Sequence, residues 1–339
     1  MGDAMGIDLA VVWAGIIFFS VFMYVVLDGF DLGIGMLFPF VPDRRERDSM
    51  MNTVAPVWDG NETWLVLGGA GMLAAFPLAY SVVLSACYLP LSFMLMGLIF
   101  RGVAFEFRFK AREHERHIWD KAFIGGSVTA AFFQGVALGA FLEGIPVSGR
   151  AYAGGPLDWL SPFPLLSGVG VMIAYTLLGS TWLIMKTEGE LHASMVKVAR
   201  PFGMMLLGAI AVVSVWTPLT HPEVAARWFS FPNIVLFAPV PLLVAAAMFW
   251  LLRSLKGEPH RAPFIAALGL IFLGYTGMAI SIWPHIVPTT LTIWTASSPP
   301  QSQRFALVGT LFILPLILGY SMWSYYVFRG KVKMGEGYH

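Results

Sequence analysis

The sequence predicts an all-α integral membrane protein with nine transmembrane helices. Of the 339 residues, 57% are hydrophobic and only 12% are charged, against roughly 25% charged residues in an ordinary soluble domain. The mean hydropathy is +0.72, and long apolar runs alternate with short polar breaks. A helix needs about 20 mostly apolar residues to cross the hydrocarbon layer, so these runs have the length of membrane-spanning helices.

Nine apolar runs qualify as such helices. In chain order they cover residues 9–38, 54–76, 80–107, 121–142, 163–186, 201–219, 232–252, 262–283 and 305–328. Charged or Pro- and Gly-rich breaks separate the runs, which is typical of the ends of membrane-spanning helices. Neither a soluble domain nor a strong internal repeat is evident, so residues 1–339 are expected to form a single transmembrane domain.

The basic residues alternate between successive connections. Seventeen of the 21 Lys and Arg residues follow odd-numbered runs, three follow even-numbered runs, and Arg101 lies inside the third run. The seventeen are Arg44, Arg45, Arg47, Arg108, Lys110, Arg112, Arg116, Lys121, Lys186, Lys197, Arg200, Arg253, Lys256, Arg261, Arg329, Lys331 and Lys333, and the three are Arg150, Arg227 and Arg304. Because Lys and Arg accumulate on the cytoplasmic side, we expect a periplasmic N-terminus and a cytoplasmic C-terminus.

The N-terminal segment MGDAMGIDLA contains no Lys or Arg. A cleaved secretory signal begins with a basic region, so the first helix is expected to be retained. Two outer segments, Glu143–Pro162 and Trp283–Arg304, are long without being charged. Long connections of this kind usually pack on something, and we expect both to form ordered caps.

Four carboxylates are predicted to meet in the cytoplasmic half of the first two helices. In VVLDGFDLGIGM, Asp28 and Asp31 lie about 15 and 10 Å before the cytoplasmic end of the first helix, at roughly 1.5 Å per residue. In APVWDGNETWLV, Asp59 and Glu62 lie one to two turns inside the second helix. Both pairs have the spacing i, i+3, which places each pair on one helix face.

The third helix ends on the same side and contributes Arg101, Glu106 and Arg108 from FRGVAFEFRFK. A carboxylate at membrane depth costs several kcal/mol unless it is paired, hydrated or protonated. One interpretation is structural: Arg101 forms a buried ion pair with one or more acids, Glu106 among the candidates, and Asn61 helps to satisfy the rest. The other is functional: clustered carboxylates disfavour one another's ionised form and can exchange protons with the cytoplasm. Four acids against one arginine favour the functional interpretation.

Other conspicuous residues have plainer explanations. Small residues let membrane helices approach closely, and this explains Gly29, Gly33, Gly35, Gly68, Gly69 and Gly71. The single cysteine, Cys87, excludes an internal disulfide and is expected to be a small core residue.

The histidines argue against a haem bound by this chain. A membrane haem usually needs axial His, or His with Met, projecting into a helical bundle. Four of the seven histidines are expected in cytoplasmic connections, one in an outer connection, one at the C-terminal tail and one at the outer end of the eighth helix. In that order they are His114, His117, His192, His260, His221, His339 and His285.

Several motifs resemble one family. VLDGFDLGIGM, NTVAPVWDGNETWLVLGGAGMLAAFPLAY and FRGVAFEFR, with GELH and GMAISIWPHIVPTTLTIW further on, make the chain similar to subunit II of the cytochrome bd-type quinol oxidases, including the cyanide-insensitive oxidase branch. The resemblance runs from about Asp8 to Phe328. It implies two four-helix bundles plus one peripheral helix in the bacterial inner membrane. Thr295 stands where an acid is expected, which puts a charged role of that outer loop in doubt.

The resemblance also implies a function. Family members form a heterodimer with a homologous subunit I, which holds haem b and haem d, oxidises quinol and reduces dioxygen to water. Subunit II ligates no cofactor. The resemblance implies a proton-path role for Asp59, whereas Glu62, Asp28 and Asp31 are added here on geometric grounds. It further implies an oxygen route past Trp64, and it allows a structural quinone and a small accessory single-helix subunit. Lipid is the expected surrounding, and nucleic acid is not a partner.

Two alternatives remain. An ion-coupled secondary transporter would also place acids near glycine-weakened helices at mid-membrane, although nine helices fit its inverted repeats poorly. A purely structural stabiliser of subunit I would use the acids only to pair with Arg101.

Overall fold

The computed structural model describes residues 8–257 and 260–332, and within these ranges the chain is mostly helical. The segment 1–7, Lys333 and His339 lie outside the described residues. The helices are α1 (Leu9–Leu37), α2 (Arg44–Asn52), α3 (Trp58–Ala75), α4 (Pro77–Ala86), α5 (Tyr88–Lys110), α6 (Arg116–Glu143), α7 (Pro162–Lys186), α8 (Gly189–Thr220), α9 (Pro222–Phe229), α10 (Asn233–Phe237), α11 (Pro239–Ser254), α12 (Ala262–Ile282) and α13 (Pro300–Val327). The strands are β1 (Val147–Ser148), β2 (Ala151–Tyr152), β3 (His285–Val287) and β4 (Leu291–Thr292).

Within the described ranges, 8 helical segments are long and apolar enough to cross a membrane. They are α1 with the short 3₁₀ turn after it, α5, α6, α7, α8, α10 continuing into α11, α12 and α13. The remaining expected span, 54–76, corresponds to α3, which has 18 residues and is about 27 Å long. Its first turns carry the polar residues Asp59, Asn61 and Glu62. These residues lower its hydropathy, so length and composition do not identify α3 as a membrane span. A ninth span therefore stays a prediction.

The expected third span, 80–107, is broken at Cys87. The structure has a short helix, α4, and a separate 23-residue helix, α5. Pro90 explains the break, because its ring would clash with the carbonyl of Ala86 in a continuous helix, whereas it is tolerated in the first turn of a new one. Ala79, Val82 and Ala86 of α4 are buried together with residues of the β3–β4 loop. α4 is thus part of one end of the bundle, and α5 alone is long enough to span the membrane.

Helices also begin earlier than the apolar runs. α8 starts at Gly189, twelve residues before the expected 201, so His192, Lys197 and Arg200 lie in a helix and not in a connection. Leu191, Met195 and Ala199 are buried in this extension, and their spacing of four residues is that of one helix face. An apolar run marks the hydrocarbon layer, whereas a helix continues for as long as one face is packed.

α1 lies at the centre of the packing and contacts α3, α6 and α7. A side chain at Gly33 would collide with the backbone of Tyr175 and Gly179, and one at Gly29 would meet the Tyr175 ring at 2.7 Å. Gly35 faces Ser127 of α6 in the same way. The role expected for these glycines, close helix approach, is confirmed.

The glycines of α3 divide into two groups. Gly68 lies against Val21, and Gly71 lies against Ile17 and Trp13, all on α1. Gly69 has open space around it, so the expectation of a close helix contact within this chain is wrong there. Gly69 is next in sequence to Gly68, and neighbouring residues on a helix point in different directions.

Most of the long helices form one continuous network of contacts, and their division into two four-helix bundles stays a prediction. α5 packs on α6, and both α6 and α1 pack on α7. α7 also contacts α8 and α12, and α11 packs against both of these helices. α13 packs on α3 and, less closely, on α1. Most of its apolar side chains are exposed, with Phe305 at 85% and Phe312 at 72%, so α13 lies at the edge of this subunit.

Both long outer segments are ordered, as expected. Val147 pairs with Tyr152 across β1 and β2, and His285 pairs with Thr292 across β3 and β4. Ser298 donates its backbone N–H to the Ala75 carbonyl at 2.8 Å, which ties the second segment to the end of α3. These segments therefore cover the helix ends of their own chain.

Two residues singled out in the sequence lie at this end of the bundle. The Thr295 hydroxyl accepts the backbone N–H of Thr292 at 3.0 Å, and the Thr292 hydroxyl accepts that of Thr295 at 3.2 Å. Thr295 thus closes a turn. Cys87 is buried, with 1% of its surface exposed, which confirms its place in the core.

Candidate functional site

Arg101 is the centre of a buried charged cluster formed by α1, α3 and α5. Its Nη1 lies 2.7 Å from Oδ1 of Asp28, and its Nη2 forms an ion pair with Oε1 of Glu62. Arg101 and Asp28 are fully buried, whereas 30% of the Glu62 side chain is exposed. Arg101 and Asp28 each lie nine residues before the end of their helix, about 14 Å at 1.5 Å per residue, which explains why they meet.

Asp31 forms a second arm of the cluster through Asn61. The Asn61 amide donates from Nδ2 to Oδ2 of Asp31 at 2.8 Å, and its Oδ1 accepts the Tyr325 hydroxyl at 2.8 Å. Asp31 is fully buried and Asn61 is 2% exposed. The expected role of Asn61 in satisfying a buried acid is thus confirmed. Tyr325 comes from α13, far away in sequence, and nothing in the sequence pattern pointed to it.

Asp28 and Asp31 lie on one buried face of α1, as their spacing predicted. Asp59 and Glu62 behave differently, because Asp59 is exposed and Glu62 turns inward to Arg101. The four acids are therefore arranged as a buried pair, a half-exposed Glu62 and an exposed Asp59 at the start of α3. Asp59 does not join the Arg101 cluster directly.

The prediction of a buried ion pair is wrong for Glu106. This carboxylate is exposed and lies 3.6 Å from Lys110 in a pair that is itself exposed. Glu106 comes five positions after Arg101, a rotation of about 140° around an α-helix, so the two side chains point to different faces of α5. Arg101 pairs with acids of other helices instead.

A second charged network was missed in the sequence. Arg108 lies between two acids, with Nε 2.5 Å from Asp120 and Nη1 2.5 Å from Asp48. Arg47 also pairs with Asp120, at 3.0 Å, and donates to the carbonyls of Val41 and Phe38. The network fixes α2 against the ends of α1, α5 and α6. Its residues lie in three different helices, α2, α5 and α6, and no sequence spacing predicts such a meeting.

Trp64 is fully buried and packs edge-on against Phe19, with ring centroids 5.7 Å apart. Its indole N–H has no hydrogen-bond partner among the described residues. A buried Trp usually finds such a partner. The packing is apolar, and the oxygen route stays a prediction.

The described histidines lie at helix ends, in connections or in the β3–β4 hairpin. His117 and His192 lie in the first turns of α6 and α8, and the Nδ1 atoms of their rings contact the backbone carbonyls of His114 and Ile184. His285 begins β3 at the opposite end of the bundle. Among the described residues no group of three or more His, Cys, Asp or Glu side chains is arranged to hold a metal ion.

Comparison with known proteins decides the family. The family model for cytochrome bd terminal oxidase subunit II matches residues 9–328. The chain belongs to this family. Cytochrome bd-I ubiquinol oxidase subunit 2 of Escherichia coli strain K12 is 30% identical over 346 residues, with 91% of each chain covered. Cytochrome bd ubiquinol oxidase subunit 2 of Bacillus subtilis strain 168 is 30% identical over 344 residues, with 97% of each covered.

The fold agrees with a solved structure. A chain of the bd oxidase from Geobacillus thermodenitrificans superposes with a TM-score of 0.74 at 15% identity, covering 95% of this chain and 99% of that one. The family model and the two relatives confirm the resemblance drawn from the motifs. This subunit II is a multi-pass protein of the bacterial inner membrane and part of a haem-containing respiratory oxidase complex, and its family implies a subunit I partner.

Proposed function

We propose that this subunit II ligates no haem, supports a haem-bearing subunit I in oxidising quinol and reducing dioxygen to water, and supplies part of a proton path from the cytoplasm. The observation that carries the proton path is the ion pairing of Arg101 with both Asp28 and the half-exposed Glu62. Because Arg101 forms an ion pair with each of them, the fully buried carboxylate of Asp28 is coupled electrostatically to the carboxylate of Glu62, which reaches the subunit surface.

The charge balance supports proton exchange. Three carboxylates, those of Asp28, Asp31 and Glu62, share one guanidinium, so two would remain without a counter-charge if all were ionised. An unpaired charge in a buried site costs several kcal/mol. Taking up a proton removes that cost, which makes the cluster a place where protons can be held and passed on.

The exposed face of α3 supports docking of subunit I there. Asp59 and Thr63 are exposed on this face next to Val66, which is 68% exposed. A carboxylate facing lipid at membrane depth is expensive, whereas a partner subunit can cover and hydrate it. We therefore assign α3 to the heterodimer interface and to a ninth membrane span, with the N-terminus periplasmic and the C-terminus cytoplasmic.

The proposed route has three steps. Asp59 takes a proton from water at the cytoplasmic side and passes it to Glu62, one helical turn further along α3. Protonation of Glu62 weakens its pairing with Arg101, which then pairs more closely with Asp28. The proton leaves Glu62 toward subunit I when Arg101 returns. Haem b, haem d, quinol and dioxygen belong to subunit I in this proposal, and the positions of the described histidines at helix ends support that assignment.

The remaining roles implied by the family stay proposals. They are an oxygen route past Trp64, a structural quinone and an accessory single-helix subunit. A secondary transporter is less well supported, because such proteins place their ion sites at broken helices, whereas Asp28 and Asp31 lie in α1, an unbroken helix of 29 residues.

Asp59→Asn and Glu62→Gln in the complex with subunit I test the proposal. Each is expected to reduce quinol oxidase turnover at least about tenfold while the reduced-minus-oxidised haem spectrum stays intact. Glu106→Gln is the control, because it neutralises an exposed carboxylate on α5 outside the cluster. Near-normal turnover of both variants with an intact haem spectrum would favour a purely structural subunit. Proton flux by this chain alone would favour a transporter.

A further inference from the structure

An apolar groove runs between α11 and α12 on the outside of the bundle. Its volume is about 470 Å³, which lies within the range of roughly 300–1,000 Å³ typical of ligand sites. Leu243 and Trp250 line it on the α11 side, and Gly269 and Phe272 line it on the α12 side. A Cβ atom at Gly269 would have nothing within 4 Å, so the missing side chain at this position keeps the groove open.

The groove has the depth of one lipid leaflet. Along α11, Leu243 and Trp250 come ten and three residues before Arg253, which is about 15 and 5 Å at 1.5 Å per residue. Along α12, Gly269 comes eight residues after Arg261, or about 12 Å. The hydrocarbon core of a bilayer is about 30 Å thick. The groove therefore lies at the depth of the acyl chains of the leaflet whose head groups are level with the two arginines.

The two arginines lie on the helix faces that line the groove. Arg253 comes three positions after Trp250, and residues with this spacing are neighbours on one helix face. On α12, Arg261 and Gly269 are two steps of four residues apart, with Ile265 between them, and such steps also follow one face. Ile265 is 51% exposed, so this face of α12 points away from the bundle. Each wall of the groove thus ends at an arginine.

The cations at this end have no counter-charge among the described residues. Arg253, Lys256 and Arg261 are all exposed, and none of them forms an ion pair within the described part of the chain. The connection from α11 to α12 contains one acid, Glu258, which lies outside the described residues. Three positive charges and one negative charge give this connection a net charge of +2, so an anion is attracted to it.

We propose that this groove binds one anionic phospholipid, with an acyl chain between α11 and α12 and the phosphate at Arg253 and Arg261. Basic pockets between membrane helices recognise anionic head groups, and an arginine can donate two hydrogen bonds to one phosphate. A quinone or a zwitterionic lipid would match the apolar walls but would bring no net negative charge to the arginines. The inference concerns a surface remote from the Arg101 cluster and does not depend on the proposed proton path.

Photo-crosslinking of the purified complex with subunit I tests the site. The probe is phosphatidylglycerol with a diazirine in one acyl chain, and the comparison is phosphatidylcholine with the same chain, which has no net charge. Phosphatidylglycerol is expected to label the peptides covering residues 243–250 and 269–273 at least about fivefold more strongly than phosphatidylcholine, because each nearby cation favours the anionic lipid. Equal labelling by the two lipids would mean that the groove holds only ordinary surrounding lipid, and would overturn the proposal.

A double variant tests the head-group contact. Arg253→Gln with Arg261→Gln is expected to lower the labelling by phosphatidylglycerol to the level of phosphatidylcholine, while the haem spectrum of the complex stays intact. Lys110→Gln with Arg112→Gln is the matched control, because it also removes two exposed cations but at the end of α5, and it should leave the labelling unchanged. Undiminished labelling in the Arg253 and Arg261 double variant would overturn the proposal.

A second variant tests the acyl-chain contact. Gly269→Leu places a side chain in the groove and is expected to reduce the labelling by both lipids. Gly274→Leu is its control, because a Cβ atom there also has nothing within 4 Å and Gly274 does not line the groove. Equal labelling of the two leucine variants would contradict the proposed position of the chain.

Competition and assembly complete the test. Displacement of phosphatidylglycerol from residues 243–250 and 269–273 by an equal concentration of ubiquinone would identify the groove as a quinone site and would overturn the proposal. If the arginine double variant does not assemble with subunit I, Arg253→Gln alone decides in its place. Labelling by phosphatidylglycerol at the wild-type level in that single variant would also overturn the proposal.

Discussion

The guanidinium of Arg101 lies 2.7 Å from the carboxylate of Asp28, and both side chains are fully buried. This pair joins α5 to α1 directly, in addition to the packing of α6 against both helices. A buried ion pair contributes little net stability compared with apolar packing, but removal of one partner leaves an uncompensated charge. The pair therefore fixes which helices meet at this depth.

Arg101→Gln is expected to destabilise the complex by about 3–5 kcal/mol, because Asp28 and Glu62 lose their cation. Thermal unfolding of the purified complex, followed by haem absorbance, measures the effect. Adding Asp28→Asn to Arg101→Gln should recover part of the loss. Lys110→Gln, which breaks only the exposed pair with Glu106, should change stability by less than about 1 kcal/mol. Equal effects of Arg101→Gln and Lys110→Gln would contradict the prediction.

Gly33→Ala is expected to force α1 and α7 apart, because the new methyl group would overlap the backbone carbonyl of Tyr175. Overpacking of this kind costs about 1–3 kcal/mol or more. The yield of assembled complex and its thermal midpoint should both fall. Gly208→Ala, with no neighbour within 4 Å, should leave both unchanged, and a tolerated Gly33→Ala would show that α1 can shift against α7.

Arg108→Ala is expected to detach α2 from the ends of α5 and α6, because Asp48 and Asp120 both lose their central partner. Removing one member of a buried charge network costs about 3–5 kcal/mol. Faster proteolysis between Arg44 and Asn52, together with a lower thermal midpoint, would report the detachment. Arg112→Ala removes an exposed arginine of the same connection and should have no effect on either measurement.

Asp8 caps the N-terminus of α1 and also accepts the indole N–H of Trp294 at 2.7 Å. The bond from Trp294 lowers the pKa of the Asp8 carboxyl below its usual value. A lowered pKa means that the ionised form stabilises the fold above the unfolded-state pKa and that this stability is lost as the pH falls through the folded-state pKa.

Asp8→Ala should therefore cost about 1 kcal/mol near pH 7, the usual value of an N-cap. The difference in thermal midpoint from the wild-type complex should shrink as the pH falls below the range in which Asp8 is ionised. A difference that stays constant with pH would show that the carboxylate charge plays no part.

Sequence and structure agree most closely along the helix axis. The depth of Asp28, Asp31 and Arg101 followed from counting residues to a helix end, and the small residues of α1 were correctly expected at helix contacts. The rotation of each helix about its own axis, which decides which side chains face the bundle interior, was harder to predict. Asp59 and Glu106 were grouped with the buried acids, but both are exposed, because the apolar runs of α3 and α5 carry hydrophobic residues on every side and do not mark an inner face.

By itself the sequence determined that the chain is a bundle of membrane helices and that its basic residues cluster around alternate ends of the apolar runs, because hydropathy and charge are properties of single positions along the chain. It also determined the family, through motifs that are contiguous in sequence. Only the tertiary structure decided that Arg101 pairs with Asp28 and Glu62, that Asn61 meets Tyr325, and that Arg108 lies between Asp48 and Asp120. Each of these contacts joins different helices or connections, and their relative rotation and spacing depend on how closely the glycine-bearing surfaces of neighbouring helices pack.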